Sequence, residues 1–386
     1  MRPSFFRRYL LPGFIFQSVV IAGGYATGRE IVEFFLTLGP VSGLAGMILV
    51  STVIWSLVAA VSFELARRFR TYDYRSFFQR LLGRGWVLFE ICYLLMMLLV
   101  LAVIGAAAGS IVEETLALPY AAGVAAVMGV VAVLLFFGSG PIERALAAWS
   151  FVLYATYAVF LVWSVGRFGG RIADAFAASE LGGAWVLGGV KYASYNLSVV
   201  PVVLFTVRHI RTRREAVGAG LLTGVIGILP GLLFYIAMVG HYPEIVGRAV
   251  PANYLLELLG SRAFQVAFQI VIFGTLIETG TGMIHAVNER LAGAFQERGS
   301  EMPRWIRPAA AGVFLSVAIA LTPLGLVDLI AKGYGGLTWG FLGIYVLPVL
   351  TLGVWILVRS GGRSAAAEPR GRGRPETPGP GASSRV

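Results

Sequence analysis

The sequence predicts an all-α polytopic membrane protein of about ten transmembrane helices, the first and sixth broken at mid-depth. Three observations carry this expectation. Of 386 residues, 57% are hydrophobic and only 13% are charged, about half the charge of a soluble domain. Apolar runs of roughly 20 residues recur along the chain, the length that crosses a hydrocarbon core. The first run is interrupted: Leu10 to Ile21 reads as helix, Ala22-Gly23-Gly24-Tyr25-Ala26-Thr27-Gly28-Arg29-Glu30 does not, and apolar helix resumes at Ile31. Each glycine costs a helix about 1 kcal/mol, and an arginine near the membrane centre roughly 2.5–3.5 kcal/mol. Unwound backbone at that depth survives only where protein or a water-filled cavity covers it.

The predicted spans are 8–38, 41–66, 86–111, 120–137, 145–165, 184–207, 216–239, 263–287, 308–327 and 337–358. Span 1 opens after Arg7 and Arg8, as a signal peptide would. Pro12, Gln17 and the apolar continuation past the glycines mark it instead as an uncleaved span. Between spans 2 and 3, the segment 73–82 mixes charge with apolar residues at helical spacing and predicts a short helix on the membrane face. The segment 288–295 predicts another. The connections 167–183 and 241–256 are the longest on the opposite side, candidates for a lid. Glu64 and Glu90 fall near span ends and are expected to be solvated. Pro230 and Pro348 would kink spans 7 and 10 for packing. The membrane domain thus covers 1–358, and the Gly-, Pro- and Arg-rich stretch 359–386 is expected to be a disordered basic tail.

The net charge of +11 does not mark a nucleic-acid binder. The arginines sit in short loops: Arg67, Arg68, Arg70, Arg75, Arg80 and Arg84 after span 2, Arg208, Arg211, Arg213 and Arg214 after span 6, and Arg290, Arg298, Arg304 and Arg307 after span 8. With Arg2, Arg7 and Arg8 these fall on one side, which the positive-inside bias makes cytoplasmic, together with both termini. The single Cys92 excludes an intrachain disulfide, and His209, His241 and His285 have no metal-ligand spacing. No phosphate-binding Gly-x-x-x-x-Gly-Lys-Ser/Thr loop occurs, which excludes a nucleotide-driven pump of that type. No catalytic constellation appears, so the chain is not expected to be an enzyme.

Span 6 is the second broken helix. Pro201 removes an amide and frees the carbonyl of Leu197, while Ser194 and Asn196 offer the backbone local alternatives to helical bonding. Breaks in spans 1 and 6 of ten divide the chain into five-span halves, about 8–165 and 184–358. An odd number of spans inverts the second half, and inverted repeats with paired broken helices are a transporter signature. Amide ends around Gly28, Arg29 and Glu30 would hold a carboxylate, and carbonyl ends around Ala22 and Gly23 a cation.

The stretch 23–35, GGYATGREIVEFF, resembles the signature of the YkvI family of bacterial membrane proteins, and 329–335, LIAKGYG, is similar to that family's late motif. The likeness covers about 10–358. That family is similar to the amino acid–polyamine–organocation superfamily, so the resemblance implies the leucine-transporter five-plus-five fold, transport, and a bacterial plasma membrane. A concentration of charge at the first break (Arg29, Glu30, Glu33) departs from many members of that superfamily.

The expected solute contacts are Gly23, Gly24, Tyr25, Thr27, Gly28, Ser194, Tyr195 and Asn196, with Tyr192 as a further wall. Arg29, Glu30, Glu33, Lys191, Asp328 and Lys332 are the gate candidates. Arg29 would pair with Asp328, and Lys332 with Glu30 or Glu33; the alternative is an intrahelical Arg29–Glu33 pair. Span 8 places a carboxylate, Glu278, in the membrane, functional by default. It is either a proton carrier or a structural hydrogen-bond partner. The fold resemblance implies a sodium site from Thr279, Thr281 and the carbonyl of Ala22. The leading expectation is a sodium- or proton-coupled symporter of a small solute, an amino acid or related zwitterion, without cofactor or resident metal beyond a coupling sodium. A passive channel and a non-transporting sensor are the other readings.

Overall fold

The computed structural model describes residues 4–21, 23–137, 140–297 and 299–359. Among them the chain is helical throughout, with no strand. The expected tail from residue 360 onward, and Ala22 and Arg298, lie outside the described residues.

The first helix is built in three pieces. Helix α1 (Leu11–Val20) carries Pro12 in its first turn, where a missing amide is harmless, and ends at Ile21, whose ψ of 78° leaves the helical region. A single turn, α2 (Gly23–Ala26), follows. Gly28 then takes a φ of 82°, and the Phe234 ring stands 3.0 Å from where a Cβ would be. Both facts favour glycine there. Helix α3 (Arg29–Phe34) resumes the path.

Helix α4 (Pro40–Phe69) leads to α5 (Tyr74–Leu82), which is capped by Asp73 accepting the Ser76 N–H at 2.8 Å. Then come α6 (Trp86–Leu116), α7 (Tyr120–Phe137) and α8 (Gly140–Ala177). The expected second break is milder than the first: α9 (Trp185–Asn196) tightens into a single turn, Leu197–Val199, and goes on as α10 (Val200–Val203), with Asn196, Leu197 and Val200 all in right-handed helical conformation. Helix α11 (Arg213–Val239) starts on a capping box between Thr212 and Glu215. Helices α12 (Pro251–Leu259), α13 (Arg262–Glu297), α14 (Ile306–Leu321) and α15 (325–359) complete the chain.

Among the described residues, six helical stretches are long and apolar enough to cross a membrane: Pro40–Phe69, Tyr74–Leu116, Val152–Ala177, Arg213–Val239, Arg262–His285 and Ile306–Arg359. Large apolar side chains such as Leu49, Leu57, Val162, Val225 and Ile270 are exposed on their outer faces, as lipid contact requires. The protein is an integral membrane protein.

Small residues bring the helices together. A Cβ on Gly220 would lie 2.3 Å from the Ala60 backbone, and one on Gly224 2.2 Å from Ser56 Oγ, so α11 and α4 touch backbone to backbone. Ser56 Oγ donates to the Leu221 carbonyl at 2.9 Å across that seam. Helix α4 also anchors α9: Trp55 Nε1 donates to the Ala193 carbonyl at 3.1 Å, and Ser51 Oγ to the Gly189 carbonyl at 2.9 Å.

Three expectations are corrected. The connection 167–183 is mostly helix, because α8 runs on to Ala177 before the chain turns. The segment 288–295 is not a separate helix but the end of α13, since nothing in it stops helical bonding. Glu64 is buried, not solvated: Arg67 reaches back along the same helix and holds it at 2.7 Å. Glu90 is half-buried.

The α4–α11 seam gives a stability test. Gly220→Ala should cost about 1–3 kcal/mol through overpacking, seen as a lowered melting temperature of the detergent-solubilised protein. Gly129→Ala, at a helical glycine with open space around it, should be neutral or stabilising.

Candidate solute cavity between the two broken helices

Consecutive residues on a helix point about 100° apart, so Arg29 and Glu30 at the start of α3 face different directions. Glu30 is 2% exposed and turns inward. Its carboxylate packs against Gly24, where a Cβ would lie 2.4 Å from Oε1, and its Oε2 accepts the Tyr195 O–H at 2.6 Å. Tyr195 sits in the last turn of α9, just before the second break. One hydrogen bond therefore joins the two interruptions.

Beside that bond lies a cavity with about 480 Å³ of empty space, part of it open to solvent. Its walls are Val19, Val20 and Glu30 from the first helix, Tyr93, Met96, Met97 and Val100 from α6, Tyr195, Asn196, Ser198 and Val199 at the second break, and Met283 and Tyr334. The Tyr334 ring stacks on Tyr195 with centroids 4.9 Å apart. Val19 and Val20 precede the first break, and Ser198 and Val199 follow the second. These four walls thus lie, along the chain, on the side of the interruptions that leads to the Arg8–Glu215 and Arg67–Glu64 pairs.

Past the first break, the chain is fastened to the segment 246–253. Arg29 donates to the carbonyls of Val246 at 2.8 Å and Arg248 at 3.1 Å, and pairs with Glu33 at 2.5 Å. The Thr27 carbonyl accepts the Ala252 N–H at 3.0 Å. Asn253 donates to Glu114 at 3.0 Å, and Gln269 donates to Asn253 at 3.0 Å and to Thr115. The segment 241–259 is thereby a lid fastened over the first break, in keeping with the expected lid at 241–256.

The expected residues divide. Tyr195 and Asn196 line the cavity; Gly23, Gly24, Tyr25, Thr27, Gly28 and Ser194 do not. Gly23 packs against Ile104 and Leu276, Gly28 beneath Phe234, and Tyr25 against Gly231. Thr27 Oγ1 donates back to the Gly24 carbonyl at 2.9 Å and Ser194 Oγ to the Val190 carbonyl at 2.8 Å, so both hydroxyls are spent on their own backbone. Glu30, expected at the gate, faces the cavity. Arg29 does not meet Asp328, nor Lys332 Glu30 or Glu33: Arg29 pairs with Glu33 and Lys332 with Asp328 at 2.8 Å, each four residues along its own helix. Lys191 is half-buried, and its carbonyl accepts from Thr338 at 3.1 Å.

Of the ion-coupling candidates, Glu278 and Thr279 are half-buried and Thr281 is buried, its hydroxyl without a hydrogen-bond partner among the described residues. Tyr154, which donates to Gln17 at 3.5 Å, lies within electrostatic reach of Glu278. Ala22 lies outside the described residues. Sequence reasoning missed Tyr93, Met96, Met97, Met283 and Tyr334. Only Tyr334 had a signal, its place in the LIAKGYG stretch.

No protein-family model matches the chain. The chain is 24% identical over 289 residues to the uncharacterized membrane protein YkvI of Bacillus subtilis (strain 168), covering 72% of this chain and 79% of that protein. This relative bears out the resemblance read from 23–35 and 329–335. Among solved structures, the manganese transporter of Eremococcus coleocola aligns over 93% of this chain and 72% of its own, at a TM-score of 0.41 and 16% identity. The same transporter in complex with an aromatic bis-isothiourea substituted compound gives 0.40 and 15%.

Two predictions concern the lid. Arg29→Ala removes two carbonyl contacts and should speed amide hydrogen exchange in 244–259 at least tenfold, while exchange in α11 stays unchanged. His241 is buried edge-on to Phe168, and burial with the nearby Arg171 pushes its pKa below the usual 6.5, against an opposing pull from Glu244. Its neutral form is the folded one. Its contribution is complete above pH 6.5 and is lost as pH falls from there through the lowered folded value. His241→Phe should therefore flatten the fall in melting temperature between pH 7.5 and 5.5; an unchanged slope would contradict this.

Proposed function

We propose that the protein is a secondary active transporter of a small organic solute, working by alternating access. The observation that carries the reading is the cavity at two helix interruptions, spanned by the Glu30–Tyr195 hydrogen bond and closed on one side by the lid. Interrupted helices meeting at a cavity are how carriers bind cargo inside a bilayer. A lid on one side and an opening on the other is the arrangement of one end state of such a cycle.

In this reading ten crossings form two inverted halves, 8–165 and 184–358, and each half begins with its broken helix. The arginine-rich side is cytoplasmic, the membrane is the bacterial plasma membrane, and the cavity opens inward. Arg29 and Glu33 belong to the outer gate, which opens when Arg29 releases the Val246 and Arg248 carbonyls. The amine group of an amine-bearing solute finds its counter-charge at Glu30. Sodium or a proton couples through α13, which carries Glu278, Thr279 and Thr281 and packs Leu276 on Gly23 of the first break.

A thermal-shift panel of amino acids, amines, nucleobases and short organic acids, with and without sodium, selects the solute. Labelled solute should then show saturable counterflow in proteoliposomes. Glu278→Gln should cut ion-driven accumulation at least tenfold and spare counterflow. Single-channel currents, or ion-driven accumulation unaltered in Glu278→Gln, would contradict the coupled-carrier reading.

A further inference from the structure

The chemistry of the cavity is one-sided. Its lining holds one carboxylate, Glu30, and no basic side chain. Arg29, next in sequence, is committed to the lid carbonyls and Glu33, and Lys332 is paired with Asp328 on an exposed surface. A solute carboxylate would meet no cation here. The amide end of α2 does not substitute for one. The Glu30 carboxylate already lies against Gly24 and occupies that end.

Two further features suit a cation. The Tyr195 and Tyr334 rings stand together at the wall, and ring faces attract ammonium groups. Tyr334 lines the cavity, its side chain is only 1% exposed, and its hydroxyl has no hydrogen-bond partner among the described residues. The remaining wall is mostly apolar, with the adaptable Met96, Met97 and Met283, and its polar members Tyr93, Asn196 and Ser198 bring no positive charge. A buried carboxylate served by the Tyr195 hydroxyl alone among the described residues still lacks a counter-charge, which a cationic ligand supplies.

We propose that the cavity takes a small organic monocation: an amine with an apolar body and no free carboxylate, its ammonium held between Glu30 and the Tyr195 and Tyr334 rings. The inference rests on the carrier reading for taking this cavity as the solute site. A zwitterionic amino acid would bring its carboxylate against that of Glu30 or leave it without a counter-charge in a mostly apolar wall, which is costly. A diamine would find no second carboxylate.

The test uses purified full-length protein and matched pairs: isoamylamine against leucine, and phenethylamine against phenylalanine. N-acetylated phenethylamine serves as the neutral control and putrescine as the dication. At least one amine should bind at least tenfold more tightly than its amino acid, and more tightly than the neutral amide and the diamine. Glu30→Gln should lose at least tenfold in amine affinity, and Tyr334→Leu more than Tyr334→Phe, which keeps the ring. The wild-type comparison decides the matter even where a variant fails to fold. Equal or tighter binding of the amino acids, or no binding of any amine, overturns the proposal. Counterflow in proteoliposomes separates the two readings. Amine binding without counterflow supports this inference and removes the carrier; amino-acid counterflow without amine binding does the reverse.

Discussion

A carboxylate inside a membrane protein must be given partners, and the Glu30–Tyr195 hydrogen bond is where this chain meets that demand. At 2.6 Å it is short enough for a charge-assisted bond. It ties the start of α3 to the end of α9, so the two weak points of the bundle face each other. The surrounding packing follows from it. Gly24 lets the carboxylate lie flat on the first break, and Tyr334 stacks on Tyr195. Trp55 and Ser51 fix α9 from behind.

The neighbouring pair Arg29–Glu30 divides the labour between two sides of the protein. The helical step sends the guanidinium to the lid and the carboxylate to the cavity. Any movement that rotates or tilts α3 alters both ends at once, because six residues of helix carry both groups. The lid has its own fastening through Asn253, Glu114, Thr115 and Gln269, which joins it to α6 and α13. Lid and cavity are thus mechanically adjacent through α3, a short rigid element flanked by Gly28 on one side and the Phe35 turn on the other.

Much of this was legible in the residues. Gly23, Gly24 and Gly28 beside a charged pair announced the first break, and Asn196 with Pro201 the second. Asp73 and the amphipathic residues after it announced α5. The misses have physical causes. Residues 167–177 and 288–297 extend helices past the apolar signal, where composition no longer separates helix from loop. The inward turn of Glu30 depends on the exact phase at which α3 restarts after Gly28, a backbone detail invisible to spacing. Met96, Met97 and Met283 read as ordinary apolar positions, and only tertiary packing brings them to one cavity. The expected Arg29–Asp328 pair failed because each group has a partner one turn away on its own helix, at lower entropic cost than a pair across the bundle.

The central claim is that the two breaks border one cavity, open toward the arginine-rich end and shut at the lid. Its most direct measurement is the labelling of Val199→Cys, in a Cys92→Ser background, by a membrane-impermeant maleimide in oriented vesicles. The account predicts fast modification from the arginine-rich side and none from the lid side. Modification from the lid side, or from neither, would contradict it.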